Sequence, residues 1–284
     1  MTEKESLAQE MERVIKAVGI PPRPAILVEF DAEMKKEDPD FRRIERLVTS
    51  DVGLSAALLK TANSPFFGLR SKAATISQAI SVLGLSTLAQ TLTGLMLRRV
   101  FSSSGRVSME RFWDASAKVA LTTAFIAKRL PGMNRDEAYT FGLFQDCGIP
   151  VLIQRFDTYK QTLGLANQAL NRQFTEIEEE HHQTNHATIG YLLTKSWNLP
   201  SSISDAIRFH HDYEMIDRSQ LAVESQHLIA LALLAERAIQ MHTGLSNSVE
   251  WKKGGSIALG HLGLSNEEFE EITDEIKTLL DRKD

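Results

Sequence analysis

With 284 residues, 43% hydrophobic and 24% charged, the chain has the make-up of an ordinary globular protein, long enough to bury one large core or two smaller ones. A net charge of −5 argues against nonspecific nucleic-acid binding, and no nucleic-acid partner is expected. A single cysteine, a charged N-terminus (Met1-Thr2-Glu3-Lys4-Glu5-Ser6) and no run approaching the ~20 apolar residues of a membrane span predict a cytoplasmic protein with no signal peptide and no membrane contact.

Charge is unevenly shared. Up to residue 105 there are 14 Lys and Arg against 12 Asp and Glu, and after it 18 against 25. The basic group Arg42, Arg43 and Arg46 reads as a solvated helix face.

Almost every segment repeats its apolar residues at helical spacing. A first helix is expected over Thr2–Val18, ended by Gly19, and the prolines at 21, 22 and 24 force an extended stretch after it. A second helix from Ala25 aligns Leu27, Phe30 and Met34. Asp40 and Asp51 are placed to cap the next two, which carry Ile44 and Val48, then Leu54 and Leu58. A turn-rich break runs from Asn63 to Leu69. Thr75 opens a helix that Gly84 interrupts and Ser86 restarts, through Leu88, Leu92 and Met96.

Ser102-Ser103-Ser104-Gly105 is the best linker candidate, predicting two helical subdomains, 1–105 and 106–284. Beyond it a helix from Ser108 should stop at Pro131-Gly132, and Asn134 with Glu137 resembles a capping box. Further helices are expected over Thr158–Asn171, Thr175–Trp197, Ser201–His210, Val223–Met241 and Asn266–Leu280. No stretch alternates at period two. The fold class is therefore all-α, bundle-like and two-part.

One apolar stretch, Ala138 to Pro150, contains a lone carboxylate, Asp146, just ahead of Cys147 and Gly148. An aspartate so placed is paired, near a metal, or at a helix end. Its plainest role is to tie helices together through hydrogen bonds, because a buried charge needs partners. His186, His210 and His211 follow, set among apolar helical repeats. For the adjacent pair 210–211 the plainest expectation is one core and one surface histidine, since neighbouring helix positions face different ways. His181-His182 follows Glu176-Ile177-Glu178-Glu179-Glu180, which reads as a solvated face. Cys147 reads as a small buried residue rather than a nucleophile. P-loop, dinucleotide and serine-nucleophile motifs are absent.

Three pieces carry a family resemblance. Leu54 to Gly68 (LSAALLKTANSPFFG) resembles the hallmark segment of HDOD-domain proteins, and Thr75 to Gly84 (TISQAISVLG) is similar to the segment that follows it there. Phe141 to Gly148 (FGLFQDCG) resembles the family's version of the Gly-Leu-Leu-His-Asp-Ile-Gly signature of HD phosphohydrolases. The likeness spans roughly residues 15 to 245. It implies an HD-like helical architecture in the second subdomain, a role in bacterial signalling, and usually an incomplete metal set.

The resemblance also implies where an HD site would lie. A ligand histidine on the preceding helix is matched by Ala115, and the histidine of the HD pair by Gln145, while Asp146 is kept. His186 looks like the downstream histidine of the HD-GYP relatives, His210-His211 like their paired histidines, and Glu236 stands nearest their last aspartate. With two strong ligands replaced, no catalytic residue, cofactor or metal is expected, although Asp146, His186, His210 and His211 can still hold one divalent ion weakly. The candidate ligand pocket is Gln145, Asp146, His186, His210, His211 and Glu236. The candidate partner contact is Asn63, Pro65, Phe66 and Phe67. The function expected is a non-catalytic regulatory module that binds a protein partner or a small ligand such as a nucleotide. The alternative is a residual metal-dependent phosphohydrolase acting on a nucleotide or cyclic dinucleotide.

Overall fold

The structure, a computed structural model, describes residues 19–64, 72–102, 109–244 and 248–281. Among these, every regular element is helical. The expected helix Thr2–Val18, the linker residues 103–105 and Pro65, Phe66 and Phe67 lie outside the described residues. The described chain falls into two compact units. One is drawn from residues 23–102 with 278–281, the other from 19–22 with 109–277.

The first unit holds α1 (Ala25–Met34), α2 (Phe41–Thr49), α3 (Val52–Ala62) and α4 (Ile76–Ser102). Asp40 caps α2 by accepting from the Arg42 and Arg43 amides, and Asp51 caps α3 through Leu54. The buried face of α1 is Leu27, Phe30 and Glu33, not Met34. Glu33 is reached by Lys36 (2.7 Å) and by Arg43 (3.2 Å), so Arg43 is partnered rather than merely solvated. Asn63 lends both ends of its amide to the Ala73 backbone, at 2.9 and 2.7 Å, and so closes the connection between α3 and α4.

Gly84 breaks the regularity of α4 with φ 72° and ψ 167°, a left-handed backbone that suits glycine. The span Ile76–Phe101 is nevertheless long and apolar enough to cross a bilayer, with mean hydropathy 1.5, which corrects the reading that no such run exists. Its Leu88, Leu92, Met96 and Leu97 are buried within the protein.

The second unit holds α5 (Glu110–Ala127), α6 (Arg135–Phe144), α7 (Gly148–Arg155), α8 (Tyr159–Gln168), α9 (Phe174–His182), α10 (His186–Ser196), α11 (Ser201–Phe209), α12 (Val223–Thr243), α13 (Glu250–Leu262) and α14 (Asn266–Asp281, whose last residues belong with the first unit). Asn134 caps α6 through the Asp136 and Glu137 amides. The Glu137 carboxylate accepts from the Asn134 side-chain amide at 3.4 Å and from Ser202 at 2.9 Å, rather than from the Asn134 backbone amide, so the box is only half formed. α12 is the central helix, packed against α5, α11 and α13. The extended stretch at Pro21 is tied in by the buried Trp197 indole, which donates to its carbonyl at 3.1 Å.

Two departures from the expected helices shape the surroundings of His186 and His211. The helix expected over Thr175–Trp197 is two helices, α9 and α10, divided where Gln183 turns left-handed (φ 56°) and Asn185 caps α10 through the Thr188 amide. Helix α13 and a short 3₁₀ turn (Tyr213–Asp217) were not foreseen, because the Gly254-Gly255 pair dilutes the apolar repeat of α13.

Candidate functional site

Four side chains from three places converge in the second unit. Asp146 sits in the tight turn between α6 and α7, His186 opens α10, and His210 and His211 follow the end of α11. One ligand atom from each can be chosen so that all lie within 4.8 Å of one another. His186 Nε2 is 3.1 Å from His210 Nε2 and 3.2 Å from His211 Nε2, and 3.3 Å from Asp146 Oδ1. His210 Nε2 is 3.6 Å from the same oxygen. All three histidines are buried, which corrects the expected division of 210 and 211 into core and surface. Helix α11 stops at Phe209, so the pair is not bound by helical spacing and its rings lie 4.1 Å apart.

The approach of α7 to α10 sets this convergence. A Cβ on Gly148 would fall on the His186 carbonyl, so only glycine admits that contact. Cys147 is buried beside it, and burial pushes its thiol well above the usual range, which suits packing and not nucleophilic attack.

Each imidazole is held from behind. His186 Nδ1 meets Glu178 Oε2 at 2.7 Å, His211 Nδ1 meets Glu250 Oε2 at 3.0 Å, and His210 Nδ1 meets the Ile207 carbonyl at 2.7 Å. Ionised carboxylates and carbonyls only accept, so each Nδ1 carries the hydrogen. The three neutral rings therefore point bare Nε2 lone pairs at one another and at an aspartate oxygen. Nothing in that inner set can donate. Such an arrangement requires a cation, either a proton or a metal ion.

Without a metal, His186 takes the proton. Burial alone would lower its pKa, but Glu178 and Asp146 together raise it to about 10. Burial also opposes ionisation of Asp146, yet hydrogen bonds to His186 and His210 hold it well below the usual carboxylate range. Burial and then the neighbouring His210 push His211 down to about 4. Glu250 is drawn down to about 2 against the cost of burial, chiefly by the His211 hydrogen bond, with Lys253 and Tyr213 assisting.

The donor set also fits a metal. Four ligands around a tetrahedral zinc-like ion with ~2.0–2.1 Å bonds are separated by about 3.3–3.4 Å, close to the separations measured from His186. Three imidazoles and one carboxylate, each imidazole backed by an acceptor, form the donor pattern of transition-metal sites. A second ion has no comparable support. Ala115 carries only a methyl group, and Gln145 is buried with its amide nitrogen on Glu236 at 2.5 Å. Glu236 is raised to about 8 by burial and by the Asp146 charge, so it is mostly a neutral acid near pH 7.

Beside the cluster opens a cavity of about 860 Å³, whose lining includes Asp146, His211, Glu236 and Glu250 together with Arg111, Asp114, Lys118 and Arg237. Ala115 lies in this lining, on the same face of α5 as Arg111 and Lys118. Phe174 stacks on His211 with ring centroids 4.4 Å apart.

A family model for the HDOD domain matches residues 20–213. The chain belongs to the HDOD-domain family. An uncharacterised protein of Treponema pallidum (strain Nichols) is 28% identical over 198 residues, 68% of this chain and 38% of that protein's length. Solved structures share the fold. An HDOD-domain protein from Geobacter sulfurreducens is 22% identical with TM-score 0.68, over 99% of both chains. A protein carrying a phosphohydrolase name from Shewanella amazonensis SB2B is 20% identical with TM-score 0.68 over 93% of both. One named for signal transduction, from Marinobacter aquaeolei VT8, is 21% identical with TM-score 0.69 over 98% of this chain and 64% of its own.

Of the six pocket candidates in this HDOD chain, all lie within one connected group, but in different roles. Asp146, His186, His210 and His211 form the inner set, and Gln145 and Glu236 bond each other beside it. Sequence reasoning missed Glu178 and Glu250. Glu178 lay hidden in the Glu176–Glu180 run, which reads as solvated but buries its middle residue completely. His182 in the same helix is also buried, bonded to Thr162 at 2.8 Å. Glu250 lies beyond the matched family segment and in the helix not foreseen.

Proposed function

We propose that this HDOD protein is a regulatory module that binds one divalent transition-metal ion through Asp146, His186, His210 and His211. It reads a phosphate-bearing small ligand, such as a nucleotide, in the adjoining cavity. The observation that carries the metal assignment is the convergence of three imidazole Nε2 atoms on one carboxylate oxygen, with each imidazole held by an acceptor at Nδ1. The reading departs from the expectation of no bound metal, which rested on counting replaced ligands. The four that remain are close enough together to share one ion. A metal there supplies positive charge for a phosphate oxygen, and Arg111, Lys118 and Arg237 in the cavity lining supply more. Gln145 and Ala115 argue for binding without turnover. The ligand state is passed to a protein partner by noncovalent contact.

Elemental analysis and calorimetry of the purified protein test this. One Zn²⁺ or Mn²⁺ per chain is expected, lost in Asp146→Ala and in His186→Ala. Protein that takes up no ion on dialysis against either metal would sink the proposal. The second reading, a metal-dependent phosphohydrolase, is favoured by the three cationic residues, Arg111, Lys118 and Arg237, in the cavity beside the ligands. Turnover of nucleotides or cyclic dinucleotides in Mn²⁺ or Mg²⁺, abolished by Asp146→Ala, would replace the first reading with the second.

A further inference from the structure

We infer that Glu178 and Glu250 are positioning residues for the ion, strengthening its binding through the histidines they hold. They hold His186 and His211 in the single tautomer and rotation that turn Nε2 toward it. This inference rests on the metal-binding reading above.

The two glutamates come from different helices, α9 and the start of α13, yet are built alike. Each carboxylate is buried. Each bonds the Nδ1 of one histidine, and each also accepts from a tyrosine hydroxyl. Tyr159 donates to Glu178 Oε1, and Tyr213 donates to Glu250 Oε2 at 2.7 Å. Lys253 adds a third donor to Glu250, at 2.6 Å. The His186 backbone amide adds one to Glu178, at 3.3 Å. Burial and the adjacent carboxylates raise both tyrosines further, so both hydroxyls stay protonated and can only present a hydrogen to the glutamates. The carboxylates are thereby left as acceptors toward imidazole.

A buried carboxylate is costly to desolvate, and an apolar side chain of similar size would serve packing better. What the glutamates achieve instead is orientation. The two nitrogens on the far side of the rings they hold, His186 Nε2 and His211 Nε2, lie 3.2 Å apart. The third histidine receives the same treatment from a backbone carbonyl. Charge agrees with this role. Asp146, Glu178 and Glu250 bring three negative charges, Lys253 offsets one, and a divalent cation balances the remainder. Acceptors behind metal-bound imidazoles also raise their basicity, and losing one commonly weakens binding ~10–100-fold.

The test is Co²⁺ titration of the full-length chain, stripped of metal, at a temperature where circular dichroism shows each variant folded. Glu178→Gln and Glu250→Gln keep an acceptor but lose the charge. Each is expected to bind one Co²⁺ about 10–100-fold more weakly than the unaltered protein, with the same visible cobalt spectrum, because the ligand atoms are unchanged. A purely structural glutamate would lower the unfolding temperature and leave the affinity of the folded protein alone. Folded variants that bind within about threefold of the unaltered chain would overturn the inference while leaving the metal site standing. Should Glu178→Gln not fold, Glu250→Gln carries the test at the other histidine. Absence of Co²⁺ binding by the unaltered protein would overturn the underlying metal reading, and this inference with it.

Discussion

Glu178 and His186 are eight residues apart in sequence and 2.7 Å apart in space. In a continuous helix that separation would be about 12 Å along the axis, and the two side chains could not meet. The break at Gln183 folds α10 back so that His186 turns toward the carboxylate it has just passed. The left-handed backbone at Gln183 is uncommon for a residue other than glycine. The site is therefore made by an interruption of helix as much as by the helices.

Metal should stabilise the fold. The ion would join the turn before α7, the start of α10 and the end of α11. At a free ion concentration 100-fold above Kd the gain is about 2.7 kcal/mol, or roughly 5–10 °C in Tm for a unit of this size. Thermal unfolding with Zn²⁺ and with chelator measures it, and Asp146→Ala should abolish the difference. An unchanged Tm in all four conditions would contradict the prediction.

Gly148→Ala should weaken both stability and metal uptake. The added methyl meets the His186 carbonyl, a backbone atom that cannot swing aside. Overpacking of this kind costs about 1–3 kcal/mol, and α7 must move off α10, carrying Asp146 from His186. Denaturant unfolding and calorimetry read the two effects. A variant with normal metal affinity would show that the close approach is not needed for the site.

The metal-free protein should lose stability as pH rises above neutrality. His186 is raised from 6.5 to about 10, so its stabilisation is complete below pH 6.5 and is lost as pH rises toward 10. Glu236 is raised from 4.5 to about 8 and therefore favours the folded state less as pH climbs between those values. His211, lowered to about 4, acts oppositely, adding stability between pH 4 and 6.5. Tm of the chelated protein should peak near pH 6 and fall toward pH 9. Metal binding displaces the His186 proton, so calorimetry near pH 7.5 in buffers of different ionisation enthalpy should show release of about one proton. A flat profile with no proton release would show that His186 is not the group holding the proton.

Asn63→Ala should destabilise the first unit without touching the metal site. It removes both amide bonds to Ala73, worth about 1 kcal/mol each. A drop of about 1–2 kcal/mol in unfolding free energy with unchanged metal affinity is expected. A loss near zero would mean that water replaces both bonds at no cost.

Helical spacing alone was enough to read the all-α class, the caps at Asp40, Asp51 and Asn134, and the interruption at Gly84, because these are local matters of periodicity and backbone geometry. The matched segments around Asn63 and Asp146 were enough to read the family. Tertiary structure decided the rest. Whether Glu178 faces water or a histidine depends on where α10 goes after Gln183, and five acidic or apolar residues in a row give no sign of it. Whether His210 and His211 point together depends on where α11 ends. Glu250 joins the site from 39 residues beyond His211, a distance over which no local pattern connects a carboxylate to its imidazole. A sequence displays which residue types are available to hold a cation; only packing can bring their lone pairs to one point with no donor between them.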